Sequence, residues 1–313
     1  MAPQDVARPR LDAREGAAAI ANASTHLARA GVENPRLDAE LLMAAAAGIP
    51  RAAVIAGYPS IEAEVMARFE RMVGRRSERE PLAYIVGHRE FYSLEFVVRL
   101  GVLIPRPETE TVVEAALGFL REWPAAKVLD IGTGSGAIAI AIAANAPEAQ
   151  IVAIDISNVS LEVAGENARR HGCAGRIAFV EADYAALDAR ALPFASFDLI
   201  VSNPPYITKA ELPALAPEVR DFEPRLALDG GVDGMEFYRK IAAGLARWLA
   251  PQGEVILEVG AGQAEAVEAI IVEAMRIEAR SIEAGTRAAR RAACARLRDL
   301  AGIERVVRVR RVL

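Results

Sequence analysis

Between Lys127 and Glu258, short runs rich in Val, Ile and Leu alternate with segments whose apolar residues recur at helical spacing. The runs Lys127–Asp130, Ile151–Asp155, Ile177–Val180, Phe197–Ser202 and Glu254–Glu258 read as strands. Ile138–Ala144, Leu161–Arg170 and Phe237–Ala250 read as helices among them. This alternation leaves little choice of fold. Strands separated by helices pair in parallel, with each helix as the crossover, which gives an α/β chain.

The flanks differ. Up to about Arg79 the pattern is helical, and Ile61, Val65, Met66, Phe69, Met72 and Val73 form one amphipathic stripe. That region holds no catalytic constellation and reads as a packed bundle whose work is recognition of a partner. Phe91–Val98 alternates and is aromatic, which predicts strands of a hairpin between domains. Thr109 is the expected cap of a helix running through Val112, Val113, Ala116, Leu117 and Leu120. Arg106 sits between Pro105 and Pro107 and is held extended, either as a solvated linker residue or facing a ligand. Arg276–Leu297 is rich in Arg and Ala and reads as a solvated helix face or a basic contact surface. Val306-Val307 reads as a last strand.

The first sheet strand leads into Gly132-Thr133-Gly134-Ser135-Gly136-Ala137. Gly132 and Gly134 permit a tight turn and close approach of a ligand to the backbone. The helix that follows turns its positive end toward a carboxylate or phosphate. The loop also satisfies G-x-G-x-x-A, so a nicotinamide cofactor is one reading. Asp155, ending the next strand, can hold two ribose hydroxyls and serves either cofactor reading. Asp183 and Tyr184 follow the third strand, where they can meet an adenine, although Tyr184 also suits the core.

The fourth strand separates the readings. It ends in Ser202-Asn203-Pro204-Pro205-Tyr206. Asn203 and Pro204 each precede a proline and are therefore extended. The Asn203 side-chain oxygen and the Pro204 carbonyl can each accept one N–H of a planar amide, with Tyr206 as an aromatic wall. Such a grip has no evident use in hydride transfer. It fits transfer of a methyl group from S-adenosylmethionine to an amide or amine nitrogen.

Composition sets outer bounds. Of 313 residues 53% are hydrophobic, enough for about two domains with a real core. The net charge of −5 disfavours bare nucleic acid as a partner, since that affinity rests on neutralising phosphates. Cys173 and Cys294 stand apart and form no CxxC, as expected in a reducing compartment. His171 and Cys173 lack neighbouring ligand types, so no metal is expected. Met1–Arg14 lacks a signal-peptide core, and the apolar run Ala137–Ala144 is too short to span a bilayer.

The chain resembles the HemK family, the glutamine N5-methyltransferases of peptide chain release factors. The likeness is carried by Glu80-Pro81-Leu82-Ala83-Tyr84-Ile85, Pro105-Arg106-Pro107-Glu108-Thr109-Glu110, Asp130–Gly136 and Asn203-Pro204-Pro205-Tyr206. It continues through Phe222-Glu223-Pro224, Gly230–Gly234, Glu258-Val259-Gly260 with Gln263, and Asp299–Gly302. It implies a helical substrate-docking domain over 1–85, a β-hairpin linker over 86–106, and a Rossmann-like methyltransferase domain over 107–313. It implies S-adenosylmethionine beside Gly132, Thr133, Gly134, Ser135, Gly136, Asp155, Tyr184 and Asn203, to which the position after the third strand adds Asp183. The target glutamine of the release factor's Gly-Gly-Gln loop would lie against Asn203, Pro204, Pro205 and Tyr206, and Arg106 is a further candidate substrate contact from its own place between prolines. Of these, Asn203, Pro204 and Tyr206 would serve catalysis. A cytoplasmic monomer acting on release factors, with no membrane and no direct nucleic acid, is the resulting expectation. Rivals are a glutamine methyltransferase of a ribosomal protein, an adenine-N6 nucleic-acid methyltransferase and a non-catalytic module of the same fold.

Overall fold

The computed structural model describes residues 10–57, 60–187, 192–282 and 292–311. The chain forms two compact units, Met1–Gly87 with Ala216–Phe222, and His88–Leu215 with Glu223–Leu313.

The first unit is a bundle of α1 (Ala13–Arg29), α2 (Pro35–Ala47), α3 (Arg51–Ile55), α4 (Ala63–Ser77) and α5 (Leu82–Val86). Pro35 sits in the first turn of α2, where its missing N–H costs no helix hydrogen bond. Leu27, Leu42, Met43 and Phe69 are buried at its centre. The unit is not helical throughout: β1 (Arg10–Asp12) pairs antiparallel with β2 (Ser60–Glu62). Such three-residue pieces carry too little periodicity to be read as strands. A later helix, α9 (Pro217–Phe222), belongs to this unit. Its Glu218 accepts from Arg79 Nε at 2.8 Å and from buried Arg76 at 2.9 Å, and Arg76 also pairs with Asp38 at 2.8 Å.

The second unit opens with the hairpin β3 (His88–Phe91) and β4 (Leu94–Val97). Its turn puts Tyr92 and Ser93 at φ 52° and 60°, a left-handed pair that suits a two-residue hairpin. Carboxylates hold it there: Glu110 accepts the Tyr92 N–H at 2.9 Å and Glu90 the Ser93 N–H at 2.7 Å. Next come α6 (Glu110–Glu122), β5 (Lys127–Ile131), α7 (Ala137–Asn145), β6 (Gln150–Asp155), α8 (Asn158–Arg170), β7 (Ile177–Glu181) and β8 (Phe197–Ser202). The chain closes with α10 (Glu236–Trp248), β9 (Leu249–Glu258), α11 (Ala264–Ile282), β10 (Ala292–Arg298) and β11 (Glu304–Arg311).

These strands build one seven-stranded sheet in the order β10-β11-β9-β8-β5-β6-β7. The strands β7 through β9 run parallel, and β11 and β10 return antiparallel at one edge. Alternation sorts the core. Val128, Ile151, Ala153, Leu199 and Val201 face one apolar cluster, while Leu129, Val152, Ile154 and Ile200 face the other. Helix α7 is apolar all round and is buried against the first cluster.

Two expectations need correction. Thr109 does not cap its helix with its side chain: it ends a 3₁₀ turn, Pro107–Thr109, and its hydroxyl goes elsewhere. The Arg- and Ala-rich stretch is not one helix face: Ala292–Arg298 pairs with β11, Cys294 opposite Val309 and Arg296 opposite Val307. Ala and Arg favour helices in isolation, and here sheet pairing overrides that weak bias. Residues 283–291, which include Arg290 and Arg291, lie outside the described residues.

Candidate active site

The strand order reverses between β5 and β8, the point in an open α/β sheet where a crevice forms beyond the carboxyl ends. Register makes those ends level. Ile131 pairs with Ile154 on one side and Ser202 on the other, so Gly132, Asp155 and Asn203 follow side by side. The Ser202 hydroxyl donates to the Ile131 carbonyl at 2.7 Å and ties the two central strands at this level. A cavity of about 1270 Å³, counted out to its open mouth, lies over them.

Most of the residues expected from sequence meet on its wall: Arg106, Gly132 to Ser135, Asp155, Asp183, Tyr184, Asn203, Pro204 and Pro205. Gly136 stands behind the loop, where an added Cβ would strike Ile140 at 2.8 Å and Ala164 at 3.1 Å. Tyr206, expected as an aromatic wall, is anchored behind the corner with its hydroxyl 3.4 Å from Glu258 Oε1. Sequence reading missed the opposite side of the cavity, where Pro224, Leu226, Ala227, Phe237 and Lys240 converge. Its available signal was the pair Gly230-Gly231. Main-chain bonds join Ile207 to Leu228 and Gly230, and a Cβ on Gly230 would lie 2.7 Å from the Tyr206 backbone. That approach brings the segment beside the diproline corner.

The glycine loop is braced from behind. Buried Asn167 donates to the Ser135 carbonyl at 2.9 Å and exchanges bonds with the Val97 backbone at 2.8 and 3.1 Å. Asp155 accepts the Gly134 N–H with one oxygen and the Ser157 N–H with the other, each at 2.9 Å. Burial raises its pKa despite those amides. Each carboxylate oxygen keeps a further lone pair, enough for a diol. Asp183 accepts from Ala185 N at 2.9 Å, and the Tyr184 hydroxyl donates to the Ile241 carbonyl at 3.2 Å. Arg106 pairs with the buried Glu223 carboxylate, which also accepts the Ile104 N–H at 3.3 Å. Arg106 therefore ties the stretch before α6 to the segment that closes the cavity.

The diproline corner carries acceptors. Asn203 Nδ2 donates to Thr109 Oγ1 at 3.1 Å, and among the described residues no donor reaches its Oδ1 or the Pro204 carbonyl. Thr109 donates to Glu258 Oε2 at 2.5 Å. Burial pushes Glu258 up to about 7, against the lowering effect of the Thr109 hydroxyl.

The donor set fits S-adenosylmethionine. A Cβ placed on Gly132 or Gly134 would meet nothing within 4 Å, so space lies directly beside the loop backbone. Asp155 offers acceptors to a ribose. Asp130, fully buried behind the loop, bonds Thr133 at 2.6 Å through Oδ2 while its Oδ1 has no hydrogen-bond partner among the described residues. Burial pushes that carboxyl up to about 7, with the Asp155 charge adding to the rise against Thr133 and the Ala139 N–H. Among the described residues there is no cluster of metal-ligand side chains and no helix long and apolar enough to cross a membrane.

Known proteins match along the chain. Residues 18–87 match the family model of the PrmC N-terminal domain, and residues 124–284 match a methyltransferase domain. The release factor glutamine methyltransferase of Geobacter sulfurreducens is 48% identical over 77% of this chain and 83% of its own. That of Bradyrhizobium diazoefficiens is 42% identical over 92% of both chains. Among solved structures, the hMettl16 catalytic domain in complex with MAT2A 3'UTR hairpin 6 shares the fold. Its TM-score is 0.51 at 15% identity, over 76% of this chain and 81% of that one. Identity at this level across nearly the full length is not a matter of fold alone: the chain belongs to the family of release factor glutamine methyltransferases.

Proposed function

We propose that this protein methylates the side-chain amide nitrogen of the glutamine in the Gly-Gly-Gln loop of a peptide chain release factor. One observation carries the reading: at the diproline corner, the Asn203 Oδ1 and the Pro204 carbonyl have no protein donor among the described residues and stand at the rim of the donor cavity. Two acceptors on rigid backbone match the two N–H bonds of a primary amide.

An amide nitrogen is a weak nucleophile because its lone pair is delocalised into the carbonyl. S-adenosylmethionine, when bound, supplies a methyl made electrophilic by its positive sulfur. The protein's share is placement. Asn203 and Pro204 would hold the amide plane and draw density onto nitrogen, and apolar Leu226, Pro224 and Pro205 would keep water from competing for those acceptors. Asp155 and the Gly132–Ser135 backbone would hold the donor.

The helical unit, with no catalytic grouping of its own, is the docking part, so the division into docking region 1–85, linker 86–106 and catalytic region 107–313 belongs to this reading. So do a monomer in the cytoplasm and the absence of direct nucleic-acid contact, the last of these supported by the acidic net charge of −5.

The test is intact-mass analysis of a purified release factor incubated with the enzyme and S-adenosylmethionine, with DNA and RNA offered in parallel. A single added methyl that maps to the glutamine is the expected result. Methyl transfer to nucleic acid alone would overturn the reading.

A further inference from the structure

A carboxamide looks nearly the same from both ends, and its orientation is decided by its neighbours. At Asn203 the decision comes from two residues given no contact with substrate or donor so far, Thr109 on the cavity wall and Glu258 behind it. We infer that Thr109 and Glu258 act as positioning residues that keep the oxygen of the Asn203 carboxamide, rather than its nitrogen, facing the cavity. The inference rests on Asn203 being the acceptor of the substrate amide.

The chain of bonds runs one way. Thr109 has a single hydroxyl proton. Its Oγ1 lies 2.5 Å from Glu258 Oε2, the length of a charge-assisted O–H···O⁻ bond, so the proton is spent there. What remains on Oγ1 is acceptor capacity, and Asn203 Nδ2 fills it at 3.1 Å. With Nδ2 turned inward, Oδ1 is the end left for the cavity. Were Glu258 protonated and donating to Oγ1, the Thr109 proton would turn to Asn203 and attract Oδ1 instead. The corner would then offer N–H to a substrate that also offers N–H, and two donors cannot pair.

The surroundings make Glu258 a real control point. Its side chain is buried, with the Tyr206 hydroxyl 3.4 Å from Oε1 and the Tyr238 hydroxyl on its main-chain oxygen at 2.9 Å. The charges that act on it are Glu108, which favours the protonated form, and Arg305, which opposes it. Burial outweighs both and places the carboxyl's ionisation near neutrality. Thr109 comes from the Pro107–Thr109 turn, Glu258 from the end of β9 and Asn203 from the end of β8, so three separate elements converge on one amide. Thr109 caps no helix with its side chain, so its hydroxyl serves Glu258 and Asn203.

The experiment compares the full-length wild type with Thr109→Val, Thr109→Ser and Glu258→Gln, using release factor as substrate across pH 6–8. Thr109→Val keeps shape but frees the amide to rotate. Its kcat should fall roughly 10- to 100-fold, the scale of one mispaired buried amide, with the Kd for S-adenosylmethionine and the KM for release factor little changed. Thr109→Ser restores the relay and should recover most of kcat. Wild-type kcat should decline as pH drops below about 7, and Glu258→Gln should flatten that decline. A Thr109→Val enzyme as fast as wild type overturns the inference, as does an acid limb that survives in Glu258→Gln. If Thr109→Val fails to fold, the Glu258→Gln profile decides alone. Failure of wild type itself to methylate the factor would sink the underlying function, a different result from a relay that proves silent.

Discussion

Gln263 holds Tyr206 by its backbone: Nε2 donates to the Tyr206 carbonyl at 3.0 Å, while Oε1 accepts the Gly260 N–H at 3.0 Å. One side chain thus joins the loop after β9 to the corner after β8. Replacing Gln263 by Ala would leave both groups without their partner and cost about 1–3 kcal/mol in stability. The corner would lose definition, so kcat is expected to drop more than the affinity for S-adenosylmethionine. Urea unfolding and steady-state kinetics read the two effects, and an unchanged kcat would deny the clasp any part in aiming the corner.

Asn203→Ala should lose over 90% of turnover, about the penalty for one unpaired substrate N–H. Its S-adenosylmethionine affinity, measured by calorimetry, should stay near that of wild type. Near-normal methylation of release factor by this variant would refute the role assigned to Asn203.

Asp155→Ala should show the reverse pattern. It removes the acceptors for a diol and strands the Gly134 N–H. S-adenosylmethionine binding is expected to weaken roughly 10- to 100-fold, with kcat at saturating donor much less affected. Equal affinity by calorimetry would place the ribose elsewhere.

Glu258 makes a stability prediction with a definite sign. Its folded pKa is raised by burial from 4.5 to about 7. Between those values the unfolded chain releases a proton that the folded chain keeps, so folding stability falls as pH rises through this window. Glu258→Gln cannot ionise. It should match wild type near pH 5 and exceed it near pH 8, by at most roughly 3 kcal/mol. Denaturant unfolding at the two pH values checks this, and a gap of the same size at both would contradict it. The same substitution is expected to slow methyl transfer, so stability and activity should move in opposite directions.

In the helical unit, Arg76→Ala would leave Asp38 buried beside no cation and would release one of the two arginines on Glu218. Removing one partner of a buried pair costs about 3–5 kcal/mol. Calorimetry should show the unfolding of this unit at a lower temperature. A Tm equal to wild type would mean that water replaces the guanidinium at no cost.

The parts legible in sequence are those where one residue type answers one local demand. The parallel strands announced themselves because a strand buried on both faces must be apolar along its length, as Leu199-Ile200-Val201 is. The glycine loop and diproline corner were legible because their backbone needs few residue types can meet. Thr109 and Glu258 were not, because their meaning lies in a hydroxyl, a carboxylate and an amide brought together from positions 109, 258 and 203. Phe237 and Lys240 were hidden for the same reason. Their helix reads as ordinary amphipathic structure, and only the close approach permitted by Gly230 turns one end of it to the cavity. Ala292–Arg298 was misread because an edge strand borrows its order from β11 rather than from its own composition.

The helical unit is assembled from two stretches of chain, since Pro217–Phe222 leaves the sheet-bearing unit after Leu215, seats Glu218 on Arg76 and Arg79, and returns at Glu223. No single cut at Gly87 can therefore separate the two parts cleanly. A fragment starting at His88 would carry a six-residue helix stripped of its guanidinium partners, tethered eleven positions past Tyr206 and one before Glu223. The bundle is therefore completed only after the chain has already built four parallel strands of the sheet, so it is not an N-terminal appendage in sequence.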